Sequence, residues 1–213
     1  KGTCMVMGTA STVACMAEAI GMTLPGAAAV PATHADRLRL AEQSGAAAVR
    51  LAREGLTPRR IMTPAAFRNA LTVLQAIGGS TNGLIHFTAI AGRLGIDLDL
   101  ETFDRLGREV PVLVDLKPSG AHYMEHFCWA GGVPRLLAEL APLLDTAALT
   151  VAGGTLAHSI AGAEFVPGQD VIRGMDAPIH RGGGLAVLRG NLAPAGALLK
   201  RSAATPALLQ HEG

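Results

Sequence analysis

The sequence predicts a helix-rich α/β fold in its first part, followed by the opening strands of a β-rich domain. Up to about residue 145, apolar residues recur at helical spacing between recognisable caps and stops. Beyond that point, short β-prone segments alternate with glycine and proline. The stretch from 162 to 184 is the richest in these two residues. We therefore expect a domain boundary near residue 163, dividing the chain into residues 1–162 and 163–213.

The residues at their ends predict the first two helices. Ser11 is expected to cap a short helix over residues 12–20, with Gly21 as its left-handed stop. A longer amphipathic helix follows over residues 35–54 and ends at Gly55.

The remaining helices are shorter. Thr63 followed by Pro64 marks the start of a helix that runs to about residue 77. The pair Gly78 and Gly79 breaks this helix, and Ser80 is expected to cap the next one, which ends near residue 94. Further short helices are predicted over residues 100–106, 123–128 and 134–140.

Extended structure is predicted in five places: residues 110–116, 149–151, 171–172, 185–188 and 197–199. The run of three glycines at 182–184 lacks the preceding strand and following helix of a phosphate-binding loop. We expect it to be a flexible linker.

Composition excludes several classes of function. With 18 Lys and Arg against 17 Asp and Glu, the chain has no basic surplus for binding nucleic acid. Apolar residues make up 49% of the chain, which excludes intrinsic disorder. No uninterrupted apolar run approaches the ~20 residues of a membrane span. Three cysteines form no closed disulfide framework, which favours a cytoplasmic location.

Cys4 is the first candidate for chemistry. It precedes a helix of small residues, where a thiolate near backbone amides is suited to act as nucleophile or metal ligand. The alternative is a buried structural cysteine, and packing is the better interpretation of Cys15 and Cys128. His122 and His126 are four residues apart, which suits either a pair of metal ligands or, more simply, a polar surface or pocket.

Ser80, Thr81 and Asn82 follow the glycine pair and are candidates for a substrate pocket. The backbone N–H groups that begin a helix there can receive an anion such as a carboxylate. A helix break with a serine cap is the competing interpretation. Lys117 with Ser119, and Lys200 with Ser202, are weaker candidates for a Ser–Lys pair.

Nine motifs, taken in order, resemble the family of dihydroxy-acid, sugar-acid and phosphogluconate dehydratases over nearly the whole chain. They lie at residues 2–4, 7–12, 18–22, 24–26, 78–82, 117–120, 130–134, 188–194 and 196–197. The resemblance implies the latter part of an N-terminal α/β domain followed by the first strands of a β-barrel-like domain. Residues 7–12 resemble the sugar-acid branch, whereas residues 32–37 resemble the branched-chain amino-acid branch.

The resemblance implies dehydration of a 2,3-dihydroxy carboxylic acid to a 2-keto-3-deoxy acid, with a sugar acid such as an aldonate as the expected substrate. It implies an iron–sulfur cluster, [2Fe–2S] in preference to [4Fe–4S], with Cys4 as its third cysteine ligand, and a nearby Mg²⁺. It also implies a homodimer or homotetramer. The other two cluster cysteines, a Mg²⁺-binding lysine and glutamate, and the serine base belong to motifs that this sequence lacks. His126 stands where we expect an acidic residue.

The sequence is therefore interpreted as an internal fragment of such an enzyme, and the fragment alone is expected to be inactive. Two alternatives remain open. One is the dihydroxy-acid dehydratase of branched-chain amino-acid biosynthesis. The other is a non-catalytic, cluster-free binding or assembly module.

Overall fold

The computed structural model describes residues 4–205 together with 207, 210 and 212, so Gly2 and Thr3 of the first motif lie outside the described residues. A helical body is followed by a β-hairpin, which confirms the predicted helix-rich α/β class. The helices are α1 (Thr9–Ala19), α2 (Asp36–Glu54), α3 (Pro58–Ile61), α4 (Pro64–Ala76), α5 (Thr81–Arg93), α6 (Leu100–Glu109), α7 (Met124–Trp129), α8 (Gly132–Glu139) and α9 (Leu156–Ile160). The strands are β1 (Leu185–Gly190) and β2 (Ala193–Lys200).

The start of α1 differs from the prediction, although its end agrees. Gly8 occupies the N-cap position, and the helix begins at Thr9. Ser11 lies inside the first turn and donates its hydroxyl to the carbonyl of Val6 at 2.9 Å. The predicted serine cap is therefore wrong, because the hydroxyl is used by the preceding loop. Gly21 follows the helix with a φ of 86°, as a left-handed stop requires.

Helices α4 and α5 begin where their caps predict. The Thr63 side chain accepts the N–H of Ala66, and the Ser80 side chain accepts the N–H of Asn82. Helix α4 runs through the centre of the core and packs against α1, α5 and α6. Its largest buried side chains are Phe67, Leu71 and Leu74.

Two one-turn helices, α3 and α9, were not predicted, because so short a segment carries no helical periodicity. Helix α2 is unusual in a different way, since none of its 19 residues is buried. Across the residues that the structure describes, no helix is both long enough and apolar enough to cross a membrane.

Of the segments predicted to be extended, some form paired strands and others form only single bridges. Strands β1 and β2 pair antiparallel, with Leu185 opposite Lys200, which confirms the predictions at 185–188 and 197–199. The run at 110–116 is instead divided among isolated bridges, in which Val112 pairs with His180 and Val114 with Ile172.

The glycine run at 182–184 is not a flexible linker. Gly183 and Gly184 are buried, and the N–H of Gly184 donates to the backbone carbonyl of Gln75 at 3.1 Å. The side chain of Gln75 accepts the N–H of Leu185 at 3.0 Å. The glycines thus allow the chain to pass directly against α4 before it enters the hairpin.

Candidate functional site

Cys4 lies in the loop that leads into α1, and its side chain is exposed. Two backbone hydrogen bonds fix this loop. The N–H of Met7 donates to the carbonyl of Lys117 at 2.7 Å, and the N–H of Met124 donates to the carbonyl of Met5 at 2.9 Å. The thiol is therefore presented on a loop whose backbone is held by two other segments.

Two cavities meet at Cys4. One, of about 130 Å³, is also lined by Thr33, Tyr123 and Glu125. The other, of about 360 Å³, runs along α1. Its helical wall is made of small residues one turn apart, Ala10, Ala14 and Ala17. The thiol thus borders open space that can hold an inorganic group or a small organic acid.

The first turn of α1 contacts the first turn of α5. The hydroxyl oxygens of Thr9 and Ser80 are 3.0 Å apart, and the Asn82 amide donates to the Thr9 hydroxyl at 3.1 Å. The N–H of Ser80 donates to the Thr12 hydroxyl at 3.0 Å. Two helix N-termini therefore lie side by side, next to the cysteine loop, and their N–H groups favour an anion.

The structure thus places Ser80 and Asn82 against the turn that follows Cys4, while Thr81 is the first residue of α5 and is partly buried. Thr9, which joins them, was not singled out from the sequence. The only sequence indication for Thr9 was its position within the family motif at residues 7–12.

The glycine next to Ser80 has a packing role. A Cβ on Gly79 would lie 2.8 Å from both the Leu74 Cδ1 and the Thr12 Cγ2 atoms. The glycine therefore lets α5 begin in close contact with α1 and α4, so that its presence is explained without a ligand.

The other two cysteines are in different surroundings. Cys15 is fully buried in α1, where burial, and secondarily the charge of Glu18, raises the pKa of its thiol. Cys128 is half-buried at the end of α7, and desolvation raises the pKa of that thiol as well. Among the residues that the structure describes, no three His, Cys, Asp or Glu side chains converge on a possible metal position.

His122 and His126 each contact another group, which favours a polar cluster over a pair of metal ligands. His122 precedes α7, and its Nε2 atom faces Asp170 Oδ1 at 3.1 Å. His126 accepts the N–H of Tyr123 through Nδ1 at 3.3 Å. The rings are 5.6 Å apart and edge-on, as expected for a polar surface cluster.

The structure brings together the serines of the two Lys–Ser candidates, and it does not bring a lysine to a serine. The Lys117 amine donates to the Tyr123 hydroxyl at 2.8 Å and so is not directed at a serine. Ser119 and Ser202, one from each candidate, instead have their hydroxyl oxygens 2.6 Å apart. No described contact pairs a serine with a lysine here, so this arrangement does not support a Ser–Lys nucleophile.

Glu18 is a residue of the site that sequence reasoning missed. It is buried in α1, and its two carboxylate oxygens accept the N–H groups of Gly26 and Ala28 at 2.6 and 3.0 Å. The loop so anchored lines the larger cavity beside Cys4. Burial raises the pKa of Glu18 from its ordinary 4.5 to about 7, against the lowering effect of the two hydrogen bonds. The only sequence signal was that Glu18 is the one charged residue between Cys4 and Ala32.

Glu18→Gln is expected to alter how stability depends on pH. Because the pKa of this acid is higher in the folded state, its contribution is fully present below pH ~4.5 and is lost as the pH rises through about 7. The loss is on the order of 3 kcal/mol in the free energy of unfolding. Near pH 5 the glutamine variant should be less stable than the unaltered chain, because one of the two N–H groups loses its acceptor. Between pH 5 and pH 8 its stability should change less than that of the unaltered chain.

Urea unfolding at several pH values measures this. Glu109→Gln, at an exposed position, is the matched control and should follow the unaltered chain. A Glu18→Gln variant with the same pH profile as the unaltered chain would show that Glu18 does not titrate in this range.

The sequence matches a known protein family over most of its length. Residues 1–159 match the family described as Dihydroxy-acid/6-phosphogluconate dehydratase N-terminal, and residues 170–213 match its C-terminal counterpart. The dihydroxy-acid dehydratase of Moorella thermoacetica is 45% identical over 214 residues, which cover 100% of this chain and 39% of that protein. The L-arabonate dehydratase of Azospirillum brasilense is 51% identical over 203 residues, which cover 94% of this chain and 35% of that protein.

The chain thus spans less than two fifths of the length of these relatives. Within that span, the two matched ranges take in the cysteine loop, both helix N-termini and the hairpin. The chain belongs to the dihydroxy-acid/6-phosphogluconate dehydratase family.

Proposed function

We propose that this chain acts as part of a hydro-lyase that dehydrates a 2,3-dihydroxy carboxylic acid. The acid loses its C2 proton and its C3 hydroxyl as water, and the resulting enol becomes a 2-keto-3-deoxy acid. The observation that carries the proposal is the exposed Cys4 thiol, which borders two cavities beside the joined N-termini of α1 and α5. Family membership supports the reaction type.

The donor atoms of the described residues fit one ligand of an iron–sulfur cluster. Cys4 offers an exposed sulfur, whereas burial keeps Cys15 protonated and away from the cavities. We propose that Cys4 holds one iron of a [2Fe–2S] cluster and that further ligands come from outside the described residues. When bound, such a cluster supplies a Lewis acid to the leaving hydroxyl group. We propose no Mg²⁺ ligand among the described residues, because no three of their His, Cys, Asp or Glu side chains converge.

The chain's own residues would orient the substrate. We propose that the N–H groups that begin α5 hold the substrate carboxylate, with the Asn82 amide beside them. The Thr9 and Ser80 hydroxyls, 3.0 Å apart, both donate and accept hydrogen bonds and so suit a polyhydroxylated acid. Glu18 fixes the loop that lines the larger cavity.

We propose an aldonate, a sugar acid, as the substrate. The cluster of hydroxyl and amide groups of Thr9, Ser80 and Asn82 favours it, as does the 51% identity to a protein named L-arabonate dehydratase. The alternative substrate is a branched-chain dihydroxy acid, and the proteins named dihydroxy-acid dehydratase at 44–45% identity support it.

A chimera tests the reaction and the substrate together. This chain replaces the matching segment of the A. brasilense L-arabonate dehydratase, and both the chimera and its parent are assayed with arabonate and with 2,3-dihydroxyisovalerate. We expect dehydration with a preference for arabonate. A preference for dihydroxyisovalerate would favour the branched-chain alternative. A folded chimera that holds no cluster and is inactive on both acids would favour the non-catalytic, cluster-free module.

A further inference from the structure

The loop between α1 and α2 forms one wall of the larger cavity beside Cys4. Ala27, Ala28 and Ala29 of this loop line that cavity, and Ala29 lines the smaller one as well. Residues 20–35, all of them described, form turns and contain no helix or strand. Because no regular element orders this segment, the position of the wall depends on what its backbone N–H and C=O groups bind.

Glu18 of α1 binds the N–H side of the loop. Its buried carboxylate accepts the N–H groups of Gly26 and Ala28 at 2.6 and 3.0 Å. The N–H group of Ala27, which lies between them, donates within the loop to the carbonyl of Leu24 at 3.1 Å. Glu18 therefore takes N–H groups that the turns of the loop leave over.

Arg37 of α2 binds the C=O side of the same loop. Its guanidinium donates to the carbonyl of Ala27 at 3.1 Å and also to the carbonyl of Val30. The Nε atom is buried, so the inner part of the guanidinium is withdrawn from water, where hydrogen bonds from a cation are strong. Arg37 also lines the larger cavity, and it ends the motif at residues 32–37.

One peptide unit of the loop is held at both ends. The C=O of Ala27 and the N–H of Ala28 belong to the same trans peptide, and they bind Arg37 and Glu18 respectively. These two groups point in opposite directions, so the guanidinium and the carboxylate lie on opposite sides of the loop. The peptide dipole has its positive N–H end at the carboxylate and its negative C=O end at the guanidinium. Both charged groups thus favour the same orientation of this peptide.

The residue before this peptide makes the clamp necessary. Gly26 has a φ of 81°, and a Cβ at this position would meet nothing within 4 Å. A glycine in open space permits backbone rotation more readily than other residues do. If either side chain released its group, the Ala27–Ala28 peptide could rotate, and the methyl groups that line the cavity would move with it.

We infer that Arg37 is a positioning residue of the candidate site. Together with Glu18 it holds the Ala27–Ala28 peptide from both ends, and it so fixes the wall of the cavity that Cys4 borders. The effect of this clamp on substrate binding rests on the proposed function, whereas the clamp itself does not.

Amide hydrogen exchange at pH 8, where the Glu18 carboxylate is ionised, tests the clamp in the chain. Arg37→Met keeps an unbranched apolar side chain but donates no hydrogen bond. We expect the Ala28 N–H to exchange at least about tenfold faster in this variant, although its own acceptor is unchanged. Amides at the centre of α4, such as that of Leu74, should keep their rates.

Two further variants complete the exchange experiment. Arg37→Lys should lie between the unaltered chain and Arg37→Met, because a single ammonium lacks the fork that reaches two carbonyls. Arg53→Met, at an exposed position of the same helix, is the matched control and should change no rate in the loop. Should Arg37→Met fail to fold, the comparison of Arg37→Lys with Arg53→Met provides the same test.

Kinetics in the chimera with the A. brasilense L-arabonate dehydratase test the consequence for the site. We expect Arg37→Met to raise the KM for arabonate about tenfold, since a displaced wall weakens the binding of the acid. Its iron content and visible absorption should equal those of the unaltered chimera, because Arg37 binds the loop and is no cluster ligand. Arg53→Met should leave the KM unchanged.

The inference is overturned if a folded Arg37→Met exchanges the Ala28 amide at the unaltered rate. It is equally overturned if all amides of the chain accelerate alike, which indicates a loss of overall stability only, or if exchange accelerates while the KM stays the same. A chimera that is inactive before any substitution would contradict the proposed function, and hydrogen exchange would then decide on the clamp by itself.

Discussion

Cys4→Ser in the chimera with L-arabonate dehydratase is expected to lower the dehydratase activity at least about a hundredfold. The reason is that a Lewis-acid group lowers the activation free energy of such a reaction by several kcal/mol. The serine oxygen is a poor substitute for a thiolate toward iron. The visible absorption of the purified variant and its iron content should fall together with the activity. The fold should be retained, since the Cys4 side chain is exposed and contributes little to the core.

Cys128→Ser is the matched control. Cys128 is partly buried, and burial raises the pKa of its thiol, so we expect it to pack rather than to bind metal. This variant should keep both its iron and its activity. If Cys4→Ser kept its full iron content and activity, the assignment of Cys4 as a cluster ligand would be wrong, whatever the substrate of the enzyme.

Gly184→Ala is expected to produce the largest loss of stability. A Cβ at this position would lie 2.3 Å from the Cα of Gly78 and 3.3 Å from the carbonyl oxygen of Gln75. Both are backbone atoms, so no side chain can rotate away and the two segments must separate. We expect a loss of about 3 kcal/mol or more in the free energy of unfolding, measured by urea denaturation.

Gly190→Ala is the control for this substitution. It lies at the end of β1 in the same hairpin, and an added Cβ would meet nothing within 4 Å. Its stability should stay within about 0.5 kcal/mol of the unaltered chain. Equal stability of the two variants would mean that the close approach of Gly184 to Gly78 does not constrain the fold.

Elements whose ends depend on local chemistry could be predicted. Thr63 and Ser80 cap α4 and α5 as expected. A cap needs only a hydroxyl oxygen and a free backbone N–H two or three residues later, so both partners lie within one turn. Ser11 shows the limit of this reasoning. Its hydroxyl has a competing acceptor in Val6, and only the path of the preceding loop decides between the two.

Features that depend on contacts distant in sequence could not be predicted. Residues 110–116 have strand-like composition, but their partners lie in separate segments, so that they form single bridges and no sheet. The glycines at 182–184 resemble a linker until their contact with Gln75 is known. The same holds for Glu18, whose role depends on two N–H groups of a loop eight to ten residues away.

Part of the candidate site could be predicted from the sequence. The family motifs indicated Cys4 and residues 80–82, and the structure adds that Thr9 contacts Ser80 and Asn82. No spacing rule relates the start of α1 to the start of α5, which are separated by more than seventy residues. Only the packing of both helices on α4 brings the two ends together.

The contact between Ser119 and Ser202 links distant parts of the molecule. Ser202 lies two residues after the end of β2. Ser119 lies two residues beyond Lys117, whose carbonyl accepts the N–H of Met7 in the cysteine loop. The path from the end of β2 to the loop of Cys4 therefore consists of two hydrogen bonds and a few covalently joined residues. A rigid-body displacement of the hairpin would strain the loop that presents the thiol. The two matched regions of the chain are thus mechanically coupled at the loop that carries Cys4.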